Sequence, residues 1–220
     1  MRIRYNPEAR PALAACPFYI DAPKAAKGRW NTLYKNDLPL WLELGCGKGS
    51  FIANTAFNDR GHNYLAVDIK SEMLYLAMKN TENTYGDTPI DNLLLADMEI
   101  MIINNYFDEN DRIDRIFINF CNPWPKAKHK KRRLTHPNQL NQYRIFLKDG
   151  GKIVFRTDDE ELFTESLDYF PAAGYEITER TSYNSLDSQT RPPLVATEHE
   201  LMFLETGKVI NYLVAEKCVR

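Results

Sequence analysis

An open α/β fold, a mostly parallel sheet with helices on both faces, is what this sequence predicts. Short apolar runs alternate with stretches of helical spacing from residue 40 onward, and that alternation builds βαβ units whose parallel strands are covered on both sides. A glycine-rich segment, Gly45-Cys46-Gly47-Lys48-Gly49, stands directly after the first apolar run. Two more apolar runs end in carboxylates, Asp68 and Asp97, at the carboxyl ends of strands, where sheets of this kind bind ligands.

The elements follow in order. Residues 1–38 are polar, carry Pro7, Pro11, Pro17, Pro23 and Gly28, and show no sustained period, so they are expected to form an irregular arm. The arm is basic through Arg2, Arg4, Arg10, Lys24, Lys27 and Arg29. Leu40 to Leu44 is the first strand, and Ser50 to Asn58 can form a helix. Tyr64 to Val67 is the second strand; Glu72 to Asn83 is helical, with Met73, Leu76 and Ala77 on one face. Asn92 to Ala96, a stretch within Ile113 to Phe120, and Gly151 to Arg156 give the third, fourth and fifth strands, and a helix follows from Asp159 to Phe170. Tyr175 to Thr181 and Ile210 to Ala215 are strand-like, with a polar loop and a short helix between them, and break the rhythm; an antiparallel edge is a plausible end for such a sheet. The expectation is a seven-stranded sheet in a single domain over residues 39–220, preceded by the arm.

The 220 residues suit one domain with a substantial core. Hydrophobic residues make up 44% and charged residues 26%, a soluble globular mix. No apolar run approaches the ~20 residues needed to cross a bilayer, and the N-terminus has no apolar core of signal-peptide length. Cys16, Cys46, Cys121 and Cys218 are far apart and form no C-x-x-C pair, so neither a disulfide framework nor a metal site is expected and a reducing cytoplasm fits. The formal net charge is -2, yet Lys126 to Arg133 reads KAKHKKRR, with six Lys or Arg in eight positions. Such a run is either a solvated face or a nucleic-acid contact.

Glycines at a strand–helix junction let the backbone approach a ligand at positive φ. A dinucleotide site prefers G-x-G-x-x-G, whereas this chain has Gly45, Gly47 and Gly49, with Ser50 after them and Glu43 before. That E-x-G-x-G-x-G spacing resembles the first motif of class I methyltransferases, which are Rossmann-like, where the loop passes beside the methionine part of S-adenosylmethionine. Asp68 is placed to accept from both ribose hydroxyls, and Asp97 from an adenine amino group. Each alone also suits a helix N-cap; three matching strand ends favour a cofactor.

The loop after the fourth strand reads Asn119-Phe120-Cys121-Asn122-Pro123-Trp124-Pro125-Lys126. Two prolines stiffen it. Trp124 reads either as core or as a wall for a base drawn out of its stack. With the basic run and Leu134-Thr135, the segment resembles the signature of bacterial tRNA (guanine-N7)-methyltransferases. The likeness extends to Lys27-Gly28-Arg29-Trp30-Asn31, the glycine loop, Arg156-Thr157-Asp158 and Thr197-Glu198-His199-Glu200.

The resemblance implies S-adenosylmethionine as donor, S-adenosylhomocysteine as product and the guanosine at position 46 of the tRNA variable loop as target. Glu43, Asp68, Asp97 and Asn122 match the family's cofactor positions. Lys126, Asp158, Thr197, Glu198, His199 and Glu200 match its substrate positions. Lys128, His129, Lys130, Lys131, Arg132 and Arg133 match its RNA-contact stretch. Asn122 stands where the family has its catalytic Asp, and His199 where it has Tyr. Guanine N7 carries a lone pair and no proton, so methylation there needs positioning rather than a base, and a carboxamide oxygen at 122 still accepts hydrogen bonds. Partners implied are tRNA, without DNA or membrane, for a cytoplasmic monomer or homodimer. Three alternatives remain: a methyltransferase for another RNA or a protein, a non-catalytic tRNA-binding relative because of Asn122, and, weakest, a nicotinamide-dependent oxidoreductase.

Overall fold

The computed structural model describes residues 5–219. Its helices are α1 (Ala9–Ala14), α2 (Ser50–Asn58), α3 (Ser71–Tyr85), α4 (Pro137–Phe146), α5 (Glu160–Ala172) and α6 (Glu198–Glu205). Its strands are β1 (Tyr19–Ile20), β2 (Leu40–Leu44), β3 (Asn63–Asp68), β4 (Leu93–Asp97), β5 (Ile113–Asn119), β6 (Leu147–Thr157), β7 (Tyr175–Tyr183) and β8 (Ile210–Lys217). The strands form one sheet in the order β1-β4-β3-β2-β5-β6-β8-β7. β8 runs against both β6 and β7, and the remaining pairings are parallel.

The strands read as continuous apolar runs because both faces are covered, yet each alternates between two cores. Leu42, Leu65, Val67, Ile116, Ile118, Ile153 and Phe155 face one core with Leu140, Tyr143 and Phe146 of α4 and Leu162, Phe163 and Phe170 of α5. Tyr64, Ala66, Leu95, Phe117 and Val154 face the other, with Phe51, Ile52 and Ala56 of α2 and Leu74, Ala77 and Met78 of α3. α5 starts where Asp159 accepts from Leu162 N at 2.7 Å and Glu160 and Glu161 follow in the first turn. α6 starts on a capping box between Thr197 and Glu200.

The chain leaves β2 for β3 and β4 on one side, then crosses to β5 on the other. The carboxyl ends of β2 and β5 therefore flank the point where strand order reverses, the place where open α/β sheets hold their ligands.

Three expectations need correction. The sheet has eight strands rather than seven, because Tyr19 and Ile20 pair with Leu95 and Ala96 at the edge of β4; two residues are too few to show a period. The segment expected to be irregular folds onto the domain: it carries α1 and β1, and Trp30 is fully buried, its indole donating to the Tyr106 carbonyl at 2.8 Å. Asp111 accepts from the backbone N–H of Gly28 and Trp30. Arg2 and Arg4, counted among the basic residues of that segment, lie outside the described residues. α4 has no counterpart in the sequence reading; it starts with His136 as cap and Pro137 in its first turn, and buries only Gln139, Leu140, Tyr143 and Phe146 of its ten residues.

Candidate active site

A cleft of about 560 Å³ opens at the reversal point, lined by Glu43, the loop from Gly45 to Phe51, Met73, Asn119, Phe120, Thr197, Glu198, His199 and Met202. Its size lies in the range of small-molecule sites, ~300–1,000 Å³. The glycine loop forms the floor. Gly45 N and Cys46 N donate to the Val67 carbonyl, and Gly47 N donates to Asp68 Oδ2 at 3.1 Å. Gly45 and Gly47 have φ of +76° and +55°, and a Cβ on either would meet nothing within 4 Å. Both residues line the cleft. Gly49 differs: its Cβ would sit 2.6 Å from Ala77 Cβ, so its glycine serves the packing of α2 on α3.

Glu43 is 2% exposed. Asn119 Nδ2 donates to its Oε1 at 2.9 Å, and its Oε2 is buried without a partner among the described residues. Burial pushes its carboxyl up to about 8, against the Asn119 hydrogen bond and the Arg156 charge, which lower it. An orphaned carboxylate oxygen beside two glycines that leave room for a ligand fits the α-amino end of S-adenosylmethionine.

Asp68 and Asp97 are not among the residues that line this cleft, although Asp68 is bonded to its floor. Asp68 Oδ1 and Oδ2 accept from Lys70 N and Gly47 N, so the carboxylate holds the loop in shape. Asp97 lies opposite Asp68 in the β3–β4 ladder and lines a second cleft of about 460 Å³ with Asp21 to Ala25 and Tyr106. Ile69, directly after Asp68, is 60% exposed.

The loop after β5 is strained. Phe120 and Trp124, at φ +50° and +44°, are the non-glycine residues with positive φ among those described, and such strain collects at functional sites. Phe120 stacks on His199 with ring centroids 6.2 Å apart. Asn122 is exposed and accepts from Trp124 N at 3.0 Å through its own Oδ1, tightening the turn. Trp124 has the Arg132 guanidinium over its ring at 5.1 Å and the His129 ring at 5.7 Å. Neither Asn122 nor Trp124 lines the 560 Å³ cleft. Burial pushes the Cys121 thiol up to about 12 and the Cys46 thiol well above its ordinary value, so neither offers a thiolate nucleophile.

The substrate residues divide. Thr197, Glu198 and His199 line the cleft, and Glu198 pairs with Lys48 at 2.8 Å. Asp158 is outside it, paired with Lys208 at 2.6 Å; Asp159, not Asp158, caps α5. Lys126 is exposed and opens the basic turn, its carbonyl accepting from His129 N. Glu200 is fully buried, its oxygens held by Arg156, Arg191 and Tyr183, and it closes the capping box that starts α6.

The basic run divides as well. Arg133 is fully buried and donates to the Pro123 carbonyl and to Glu165; Lys130 pairs with Glu161 and Glu165. These two cations anchor the loop to α5. Lys128, His129, Lys131 and Arg132 have no carboxylate partner among the described residues, and Lys128, Lys131 and Arg132 are exposed.

Sequence reasoning missed Asn119, Phe120, Lys48 and Arg156. Asn119, a polar residue closing an apolar strand, carried the same signal as Asp68 and Asp97. Among the described residues no three His, Cys, Asp or Glu side chains group as a metal site, and no helix is long and apolar enough to cross a membrane.

A family model described as "Putative methyltransferase" matches residues 37–213. The tRNA (guanine-N(7)-)-methyltransferase of Acetivibrio thermocellus is 51% identical over 219 residues, covering 99% of this chain and 100% of that protein. The protein of the same name from Clostridium perfringens strain SM101 is 50% identical over 220 residues, with 99% and 100% covered. In fold the chain is similar to an antibiotic-related methyltransferase, with a TM-score of 0.60 at 13% identity over 100% of this chain and 97% of that one. A Pyrococcus furiosus methyltransferase gives a TM-score of 0.55 at 15% identity, with 99% and 89% covered.

Proposed function

This chain belongs to the tRNA (guanine-N(7)-)-methyltransferase family, and we propose that it transfers a methyl group from S-adenosylmethionine to N7 of guanine in tRNA, at the variable-loop guanosine of position 46. One observation carries the reading: at the reversal point, the partnerless oxygen of buried Glu43 and the open glycines stand in the same cleft as Thr197, Glu198 and His199.

The cofactor supplies a methyl group on a positively charged sulfur. Glu43 Oε2 accepts from its ammonium group, the loop from Gly45 to Gly49 lies beneath its methionine part, Asp68 takes the ribose hydroxyls and Asp97 the adenine amino group. Ile69, exposed directly after Asp68, offers an apolar face to the adenine.

For the guanine, alignment of N7 is the main requirement, and such positioning supplies ~7–11 kcal/mol in favourable cases. Asn122 Oδ1, an acceptor with two lone pairs, accepts from the guanine N1–H and N2–H edge, and Trp124 stands as a wall for the base. Lys126, Asp158, Thr197, Glu198 and His199 surround the nucleotide. His129, Lys128, Lys131 and Arg132 contact phosphates, which position RNA without reading its sequence.

The test is transfer of a radiolabelled methyl group to unmodified tRNA, followed by nucleoside analysis. Label in 7-methylguanosine at position 46 is the expected result. Tight tRNA binding without label would favour a non-catalytic relative, and label in another nucleoside a different target.

A further inference from the structure

Two of the partnerless buried atoms, Glu43 Oε2 and Arg156 Nη2, belong to one connected group beside the cleft. Asn119 Nδ2 donates to Glu43 Oε1 at 2.9 Å, and Arg156 Nε donates to Asn119 Oδ1 at 2.9 Å. Arg156 Nη1 then donates to Glu200 Oε2 at 2.7 Å and to the Val195 carbonyl at 3.1 Å. Strand register sets this up: Asn119 faces Arg156 across β5–β6, and Glu43 faces Phe117, two residues before Asn119 on the same side of the sheet. The carboxamide gives its donor to Glu43 and its acceptor to Arg156, and so stands between the carboxyl and the guanidinium. A direct bidentate pair would occupy both Glu43 oxygens; this arrangement leaves one for a ligand.

We propose that Asn119 and Arg156 are positioning residues, which hold Glu43 in one orientation with Oε2 presented to the cleft as acceptor for a ligand ammonium group, and which brace that carboxylate against α6 through Glu200. The proposal rests on the reading that S-adenosylmethionine occupies this cleft. Neither residue needs to touch the methyl group.

A buried acceptor left unmade is costly, and a ligand N–H that reaches it recovers that cost. The charge state follows. Burial holds the Glu43 carboxyl near about 8, so at neutral pH it keeps its proton until a cation arrives. Binding of the ammonium group then expels a proton. The charged groups around Glu43 are Arg156 from β6 and Asp68 from β3. Lys48 with Glu198, and His199 from α6, stand further out along the same cleft.

The experiment is calorimetric titration of the full chain with S-adenosylhomocysteine between pH 6 and 9, in buffers of different ionisation enthalpy. The parent is expected to release a proton on binding at pH 7 and to bind more tightly as pH rises, levelling above about 8. Asn119→Leu removes the donor that lowers the Glu43 carboxyl, so the rise moves to higher pH and Kd at pH 7 increases roughly tenfold. Arg156→Gln shifts the profile the same way, and Arg156→Lys, which keeps the charge, falls between it and the parent. These two keep the test alive if Asn119→Leu fails to fold. Glu43→Gln releases no proton. A profile in Asn119→Leu and Arg156→Gln that superimposes on the parent's overturns the proposal. A parent that binds no S-adenosylhomocysteine overturns the cofactor reading itself, a separate and recognisable failure.

Discussion

Asn119 donates its side-chain amide to Glu43 Oε1 at 2.9 Å, and Glu43 keeps its second oxygen buried without a partner. A carboxyl in that position burdens the ligand-free protein as pH rises. Its folded value of about 8 lies above the ~4.3 of an exposed Glu. Between those values the unfolded chain gives up the proton first, so the folded state holds more protons and stability falls as pH increases.

Glu43→Gln is therefore expected to raise Tm more at pH 8.5 than at pH 6, each kcal/mol being worth about 2–4 °C for a chain of this size. The same variant binds S-adenosylhomocysteine more weakly. Thermal unfolding at the two pH values checks this; a gain equal at both would show that another group titrates.

Gly47→Ala and Gly49→Ala should fail in different ways. At Gly47 the added methyl meets no protein atom within 4 Å, so the stability loss is limited to the ~1–2 kcal/mol of left-handed backbone. S-adenosylhomocysteine affinity falls by roughly tenfold or more, about 1.4 kcal/mol, because the methyl enters the cleft. At Gly49 it meets Ala77 Cβ at 2.6 Å and Cα at 2.9 Å, so α2 must move off α3 and Tm falls further. Unfolding and binding measured side by side separate the two.

Lys128→Glu and Lys131→Glu are expected to raise the tRNA KM with cofactor affinity nearly unchanged, and each lost phosphate contact lowers the salt slope by about 1. Arg133→Ala acts on the fold instead: it removes the buried guanidinium from Glu165, which keeps Lys130 and Tyr169, at a cost of ~1.5–3 kcal/mol. Filter binding across a salt series and urea unfolding distinguish the two groups of residues. Equal loss of stability in all three variants would refute the division.

Acid should release the same anchor. Burial would raise the Glu165 carboxyl, but hydrogen bonds from Lys130 and Tyr169 and the charges of Arg133 and Lys130 hold it down to about 2. Its folded value lies below its unfolded one, so its contribution is present above about pH 4.3 and lost as pH falls toward 2. Glu165→Gln is expected to show less stability loss than the parent between pH 5 and 2, from a lower starting point.

Asn122→Asp and Asn122→Ala in single turnover with saturating cofactor test the loop after β5. The methylated ring becomes cationic, and a carboxylate stabilises that charge better than a carboxamide. Asn122→Asp should match or exceed the parent, and Asn122→Ala should be slower by roughly tenfold, the worth of one hydrogen bond of ~1.4 kcal/mol. An alanine variant as fast as the parent removes residue 122 from the chemistry.

The βαβ rhythm and the glycine loop were legible because each rests on local pattern: short apolar runs, helical spacing and closely spaced glycines. β1 and α4 were not. Tyr19 and Ile20 become a strand only because the edge of β4 offers them partners, and α4 buries few of its residues. The basic run shows the limit at the site. Sequence marks Lys130, Lys131, Arg132 and Arg133 alike; only packing against Glu161 and Glu165 tells the anchors from the exposed cations. The enclosure of Glu200 was hidden for the same reason, since the charges around it come from β6 and from the loop before α6.

The short pairing of Tyr19 and Ile20 also decides what a truncated protein would be. Cutting before residue 39 strips the border from β4, whose Leu95-Ala96 backbone would then face water with unspent donors and acceptors, an invitation to stick to other chains. It also removes Asp21 to Ala25, one wall of the cleft beside Asp97. Shortening the polypeptide there would yield a sticky, half-walled molecule rather than a leaner enzyme with weaker grip on RNA.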